Sequence, residues 1–385
     1  MPAISPVTSG GRAERHRGAA APALLAPALL ALAALGCAET ARPEAGAAPR
    51  RWTITGETMG TTFNVTVVSG RGPVEALGHP EARAAPPVPP TDWQIEHAAV
   101  EADVRSVLER IEGRMSHYRP ESELSRFNRA RTTEPQRMSG ETLRVVAEAL
   151  AVNRASGGAF DVTVGPLVDA WGFGPPGRPS EAQDEESLAA LRERVGGDFL
   201  EVDLAASTLR KRRADVVVDL SAIAKGYAVD AVAAILAERG FAHFLVEIGG
   251  ELRVGGRNER GERWRVAIER PSPGVAAAER IVQLTDAALA TSGDYRNFYE
   301  LDGARVSHTI DPRTGRWVTH ELRSVSVIAE RCSLADARST ALNVLGPADG
   351  YDLAIAQGWA ALFVADDGAG RLVERETPAF TALVR

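Results

Sequence analysis

The sequence predicts an α+β fold, on three observations. Segments of period two and segments of helical period both occur, and hairpins as well as helices connect them without a regular βαβ rhythm. There is no internal repeat and no Rossmann or Walker glycine pattern. The chain has 385 residues, 44% of them hydrophobic, enough to build one large domain or two intimate lobes around a substantial core.

The first residues predict a leader. Arg12, Arg15 and Arg17 form a basic start, and Ala19 to Leu35 is apolar but interrupted by Pro22 and Pro27. That is the layout of a secretory signal, too short and too broken to span a bilayer comfortably. It ends at Ala34-Leu35-Gly36-Cys37. A Cys after Gly at this point resembles a bacterial lipoprotein signal, although Ala34 stands where Leu is usual. Residues 1–37 therefore read as a signal cleaved before Cys37, with acylation of that thiol. An ordinary cleaved signal, or a buried Cys, are the alternatives. The expected location is exported, on the periplasmic side of the cell membrane, as a lipid-anchored protein. Acylation would leave Cys332 alone, so no intrachain disulfide could form.

The formal charge is −7, and the leader is net basic, so the remainder is more acidic still. No basic tract interleaved with aromatics occurs, which excludes the usual nucleic-acid surface.

Residues 38–50, rich in Ala, Pro, Glu and Arg, read as a tether, and 51–385 as the folded domain. Trp52–Thr55 and Thr62–Val68 alternate as a hairpin bent at Glu57-Thr-Met-Gly60. Residues 70–92 form a Pro-, Ala- and Gly-dense insertion. A helix follows over Trp93–Met115, with Ile95, Val100, Val104, Val107, Leu108 and Ile111 on one face. Thr142–Ser156 is a second helix, closed by Gly157-Gly158. Val162–Gly165 reads as strand-like, and 172–186 as a polar loop. Leu209–Leu220 reads as paired strands, followed by a helix to about Glu238. Phe244–Ile248 and Glu251–Gly255 are strands around Gly249-Gly250. Trp264–Ile268, Arg280–Leu284 and Ala288–Thr291 would continue the sheet. Arg323–Ala329 leads into a helix from Ser333 to about Val344.

Lys225 stands out chemically. Lys211 and Lys225 are lysines, and every other basic residue is an arginine. Lys211, in Lys211-Arg212-Arg213, reads as a solvated turn. Lys225 lies near a helix start, where a cation opposes the dipole unless an anion is present, and where free N–H groups attract anions. The local readings are a phosphate-type site or a lysine reaching to solvent. Asp336 and Thr340 stand four apart on one helix face. They read either as hard oxygen donors for Mg²⁺, or as a helix-start acid beside a Thr bonded to its own helix. His308 can act as a general base for a hydroxyl, or be structural. Gly157–Asp161 reads as a recognition loop for a planar ring, or as a glycine cap before a core Phe.

Eight motifs in register decide among these readings. They are Met59-Gly-Thr-Thr-Phe63, Met115 to Asn128, Gly158 to Val168, Asp219 to Tyr227, Glu247-Ile-Gly-Gly-Glu251, Thr291-Ser-Gly-Asp-Tyr295, His308-Thr-Ile-Asp-Pro312 and Asp336 to Leu342. Together they resemble the ApbE family of FAD:protein FMN transferases, over roughly residues 52–385.

The resemblance implies an ApbE-like fold of mixed sheets with packed helices. It implies Mg²⁺-dependent cleavage of the FAD pyrophosphate, with FMN joined by a phosphoester to a Thr or Ser of an acceptor protein and AMP released. It implies an FAD site of Met59, Tyr118, Ala159, Phe160, Asp161, Asp219, Lys225 and Ile310. The Ala222 carbonyl, Asp336 and Thr340 would hold the metal. His308 and Asp311 are the candidate bases. Expected partners are extracytoplasmic domains of membrane redox complexes, of Nqr or Rnf type. The rival readings are an Mg²⁺-dependent FAD pyrophosphatase giving FMN and AMP, and a flavin-binding lipoprotein without catalysis.

Overall fold

The computed structural model describes residues 50–68, 93–174, 177–178, 183–271, 278–293, 298–301 and 304–384. The leader with Cys37, the tether up to residue 49, the 70–92 insertion and the Ile95 side chain lie outside the described residues. So do Asp294 and Tyr295.

Strands β1 (Arg51–Thr58) and β2 (Thr61–Val68) pair antiparallel. Met59 and Gly60 make the turn with φ of 49° and 71°, the double left-handed geometry that tight hairpins require. Helix α1 (Trp93–Met115) buries Val100, Val104, Val107, Leu108 and Ile111, the stripe its periodicity predicts. Helix α2 (Glu123–Arg129), absent from the sequence reading, is capped by the Ser122 side chain, which accepts from Ser125 N. Its seven residues are too few to show a helical period. Strand β3 (Gln136–Arg137) precedes α3 (Gly140–Ala155), capped by Ser139.

Residues Val162 to Val164 are a turn, correcting the strand-like expectation. The Asp161 carboxylate accepts from both Thr163 N and Thr163 Oγ1, which bends the chain, and Pro166 then opens α4 (Gly165–Ala170). Helix α5 (Glu185–Arg192) follows, capped by Asp184. Strands β4 (Leu200–Asp203) and β5 (Thr208–Lys211) join β3 in a three-stranded sheet, ordered β3-β5-β4.

The expected second strand of Leu209–Leu220 does not form. Val218 instead pairs with a side chain: its N donates to Asn128 Oδ1 at 2.7 Å, and its carbonyl accepts from Asn128 Nδ2 at 2.8 Å. An amide thus supplies what a neighbouring strand would. Lys211 is also corrected. It is fully buried, donating to the carbonyls of Asn128 and Ala130 at 3.2 and 3.0 Å, with its ammonium 4.7 Å from the Phe127 ring centre. It closes the open end of α2, a role invisible in a run of three basic residues.

Helix α6 (Ala224–Glu238) leads to β6 (Phe244–Ile248) and β7 (Glu251–Gly255). Strands β8 (Trp264–Glu269) and β9 (Ala278–Leu284) pair only with each other, so they do not continue the main sheet as expected. Strand β10 (Ala287–Gly293) rejoins it. Two short hairpins follow, β11 (Phe298–Leu301) with β12 (Ala304–Ser307), and β13 (Ile310–Asp311) with β14 (Arg316–Trp317). Strand β15 (Leu322–Ala329) runs into α7 (Cys332–Gln357), which breaks at Gly346, φ 80°, just before Pro347. Strands β16 (Ala360–Asp366) and β17 (Leu372–Glu376) and helix α8 (Pro378–Val384) close the chain.

The centre is an eight-stranded antiparallel sheet, ordered β1-β2-β6-β7-β10-β15-β16-β17. Alternate residues feed two cores. Phe63, Val65, Val246, Ala290 and Val327 face the layer of α1, α3, α6 and α7. Leu252, Leu289, Ile328 and Leu362 face the β8–β9 hairpin and Phe380 of α8. A third, smaller core gathers Leu167, Trp171, Leu188, Tyr299 and Val306 from α4, α5 and the β11–β12 hairpin.

Candidate active site

A cavity of about 940 Å³ opens where these parts meet, large enough for a dinucleotide. Its walls come from separate stretches of sequence. The loop after α1 supplies Tyr118, and the turn after α3 supplies Ala159, Phe160 and Asp161. The start of α6 supplies Asp219, Ala222 and Lys225. Helix α7 supplies Asp336 and Thr340, and the segment around β13 supplies His308 and Ile310. The fold thus gathers nearly every predicted site residue. Met59 and Asp311 do not line this cavity. Met59 N donates to Glu112 Oε1 at 2.8 Å, holding the hairpin turn against α1. The Asp311 carboxylate is engaged by Arg313 through its backbone N, Nε and Nη2, each at 2.9 Å.

The helix-start reading needs revising. The backbone N of Gly226, one of the free donors of α6, is taken by Asp336 Oδ2 at 3.1 Å. The anion that this helix end attracts is therefore a residue of α7. The close seam follows from Gly226 itself, since a Cβ there would stand 2.4 Å from the Cys332 carbonyl oxygen. Asp230, further along α6, fixes the same seam. It accepts from Cys332 N at 2.9 Å and Ser333 N at 3.0 Å, and from Arg253 Nη1 at 2.6 Å.

Lys225 does not reach freely to solvent. Its Nζ lies 3.1 Å from Glu251 Oε1 and 3.9 Å from Asp336 Oδ2. Burial alone would discharge the ammonium, but Asp336 and Glu251 outweigh burial and raise its pKa. Burial lifts Glu251 to about 7 against the pull of Lys225, with Asp336 adding to the rise. Burial likewise raises Asp336. Two buried carboxylates thus share one ammonium, leaving a surplus of negative charge. Glu251 Oε2, although buried, makes no hydrogen bond among the described residues.

Hydroxyl oxygens lie beside this cluster, with Ser292 Oγ 3.4 Å from Thr340 Oγ1 and 2.8 Å from Ser339 Oγ. Among the described residues no group of three or more His, Cys, Asp or Glu is arranged to hold a metal. The donors present are carboxylate, hydroxyl and carbonyl oxygens, with surplus negative charge and an unsatisfied carboxylate oxygen. That set fits a hard divalent cation such as Mg²⁺, which takes few protein ligands, and does not fit zinc.

The other wall differs. Tyr118 is 60% exposed and presents its ring to the cavity. Asp161 is raised by burial, yet its oxygens receive four hydrogen bonds, from Thr163 N, Thr163 Oγ1, Asn153 Nδ2 and Gly197 N. Its carboxylate is spent on shaping the loop, so it presents wall to a ligand and has no free lone pair to offer. Asp219 stays ionised: His117 and Ser221 overcome the effect of burial and lower its pKa. The His308 ring lies 6.1 Å from that of Phe173 at the cavity edge.

Sequence reasoning did not assign Glu251, Ser292 or His117 to the site. Glu251 was within reach, because Gly249 and Gly250, with φ of 60° and 104°, predict a tight turn aiming the next residue inward. Ser292 and His117 lie inside two of the eight motifs but have no turn or periodicity that would aim them at the site.

The ApbE family profile matches residues 59–363. The FAD:protein FMN transferase of Vibrio cholerae is 40% identical over 82% of this chain and 88% of its own length. That of Klebsiella pneumoniae is 37% identical over 87% and 90%. Among solved structures, the Vibrio cholerae flavin transferase ApbE superposes with a TM-score of 0.74 at 38% identity, covering 87% of this chain and 99% of that one. The apo flavinyl transferase ApbE of Pseudomonas stutzeri also gives 0.74, at 37% identity, over 87% and 97%.

Proposed function

This chain belongs to the ApbE family, and from that premise we propose that it transfers FMN from FAD to a Thr or Ser hydroxyl of an acceptor protein, releasing AMP. The observation that carries the reading is one cavity with two unlike walls. One wall offers the exposed Tyr118 ring, with the buried Phe160 also in the lining, suited to a flavin. The other offers the oxygen-rich cluster of Asp336, Thr340 and Glu251, suited to a metal-bound pyrophosphate.

Mg²⁺ would be held by the Ala222 carbonyl, Asp336 and Thr340, where it would neutralise the pyrophosphate. Lys225, clamped by Glu251 and Asp336, keeps those carboxylates in place and its charge beside the phosphates. The acceptor oxygen bonds to the FMN phosphorus, the bond from that phosphorus to the AMP oxygen breaks, and AMP departs with the electron pair. His308, which lines the cavity, takes the proton from the acceptor hydroxyl. Asp311, turned to Arg313, is the poorer candidate for that role.

The leader supports export and anchoring through Cys37 on the periplasmic side of the membrane. That location suits acceptors among the extracytoplasmic domains of Nqr-type or Rnf-type redox complexes. No helix among the described residues is long and apolar enough to cross a membrane.

The test is incubation with FAD, Mg²⁺ and a candidate acceptor domain, followed by mass spectrometry of the acceptor. An FMN phosphoester adduct with equimolar AMP is expected. AMP and free FMN without an adduct would reassign the protein as a pyrophosphatase. Retention of unreacted FAD would make it a passive binder.

A further inference from the structure

His117 does not line the cavity, yet it touches three residues that do. Its Nδ1 lies 3.2 Å from Asp219 Oδ1 and 3.5 Å from Ser221 Oγ. The His117 and Asp219 side chains are 15% and 13% exposed, so this pair is largely shielded from water. The imidazole also lies against the Tyr118 ring, with centroids 4.0 Å apart and planes inclined at 40°.

The backbone beneath is pinned. Ser122 Oγ donates to the Ser116 carbonyl at 2.5 Å, and Ser125 Oγ donates to the carbonyls of Ser116 and His117, each at 3.3 Å. The imidazole is therefore aimed by α2 and does not drift on a loose loop. Burial works to discharge it, but the hydrogen bond and charge of Asp219, with the charge of Asp169 on α4, prevail and raise its pKa.

We propose that His117 is a positioning residue for the dinucleotide, fixing the Asp219 carboxylate and backing the Tyr118 ring so that both enter the cavity pre-set. A mostly exposed tyrosine must otherwise lose rotamer freedom when a ligand stacks on it, a cost that falls on affinity. An Asp219 without its imidazole would swing or take up a proton. Both losses precede chemistry, so they weaken FAD binding and leave the transfer step alone.

This inference rests on the flavin-site reading, and the experiment separates the two. FAD is titrated into wild type, His117→Ala and His117→Asn while its fluorescence is followed, with KM and kcat measured on an acceptor. His117→Ala should bind FAD roughly ten-fold more weakly, the loss of one charge-assisted hydrogen bond and its stack, with kcat at saturating FAD changed less than about two-fold. His117→Asn, whose amide can still donate to Asp219, should recover part of the affinity, and it decides the matter if the Ala variant fails to fold. Unchanged FAD affinity in both variants, or a loss of kcat as large as that of affinity, would overturn the inference alone. A wild type that binds no FAD would overturn the flavin reading and this inference with it.

Discussion

The half-buried Lys225 ammonium of α6 and the buried Glu251 carboxylate of β7 form an ion pair, 3.1 Å apart. The lysine that the sequence singled out as a partner for phosphate thus already has a protein partner. Glu251 in turn carries more negative surroundings than one lysine can offset, since Asp336 presses on it as well. The pair therefore makes stability depend on pH. Burial raises the Glu251 pKa from 4.5 to about 7, so the folded state binds the extra proton across that window. Stability should fall as pH rises through it and level off above. Asp336, also raised, acts in the same direction. Urea denaturation of chelator-treated protein should show this decline, and Glu251→Gln should flatten most of it. A slope unchanged in that variant would assign the titration elsewhere.

Lys211 should give the opposite slope. Burial lowers its pKa from 10.5 to about 8, so the unfolded chain holds the proton more tightly between these values. The burden of burying the charge is present below pH 8 and is relieved as pH rises towards 10.5, so stability should increase over that range. Lys211→Met should abolish the increase. At neutral pH it should also cost about 1–3 kcal/mol, because the carbonyls of Asn128 and Ala130 lose their donor.

Asp336 holds the Gly226 N–H, and the metal role proposed for it can be tested apart from that bond. Asp336→Asn retains an acceptor for that N–H but removes the charge. It should fold, with FMN transfer reduced by at least about a hundred-fold. Asp336→Ala should lose transfer and stability together. Full AMP release by Asp336→Asn would remove this residue from the proposed metal site.

Gly226→Ala tests the seam directly. Its new Cβ would stand 2.4 Å from the Cys332 carbonyl oxygen, so α6 and α7 must part. Overpacking of this kind costs about 1–3 kcal/mol. AMP release should fall further than stability does, since the shift would move Ala222 away from Asp336, its partner in the proposed metal site. Thermal melting and AMP release measured on the same preparation would check this.

Much of the fold was legible in local pattern. The α1 stripe, the β1–β2 hairpin and strand β6 alternate buried with less buried positions, so their periodicity survives in the sequence. The stretches that misled are those whose partner is a single side chain. Val216–Leu220 joins no second strand because Asn128 bonds Val218, and Val162–Val164 turns because Asp161 bonds Thr163. Such bonds join particular atoms and leave no periodic trace.

For the site, the sequence alone determined membership of the family and most of the wall-forming residues, because eight motifs in order are a long-range signal that no local pattern can mimic. Only the tertiary structure decided what those residues do to one another. It paired Lys225 with Glu251, spent the Asp161 carboxylate on its own loop, and turned Asp311 to Arg313. It buried the lysine that had looked solvated, and it set His117 behind Asp219. The reason is physical. Charge and exposure belong to a residue's surroundings, and those surroundings are assembled from segments far apart in the chain.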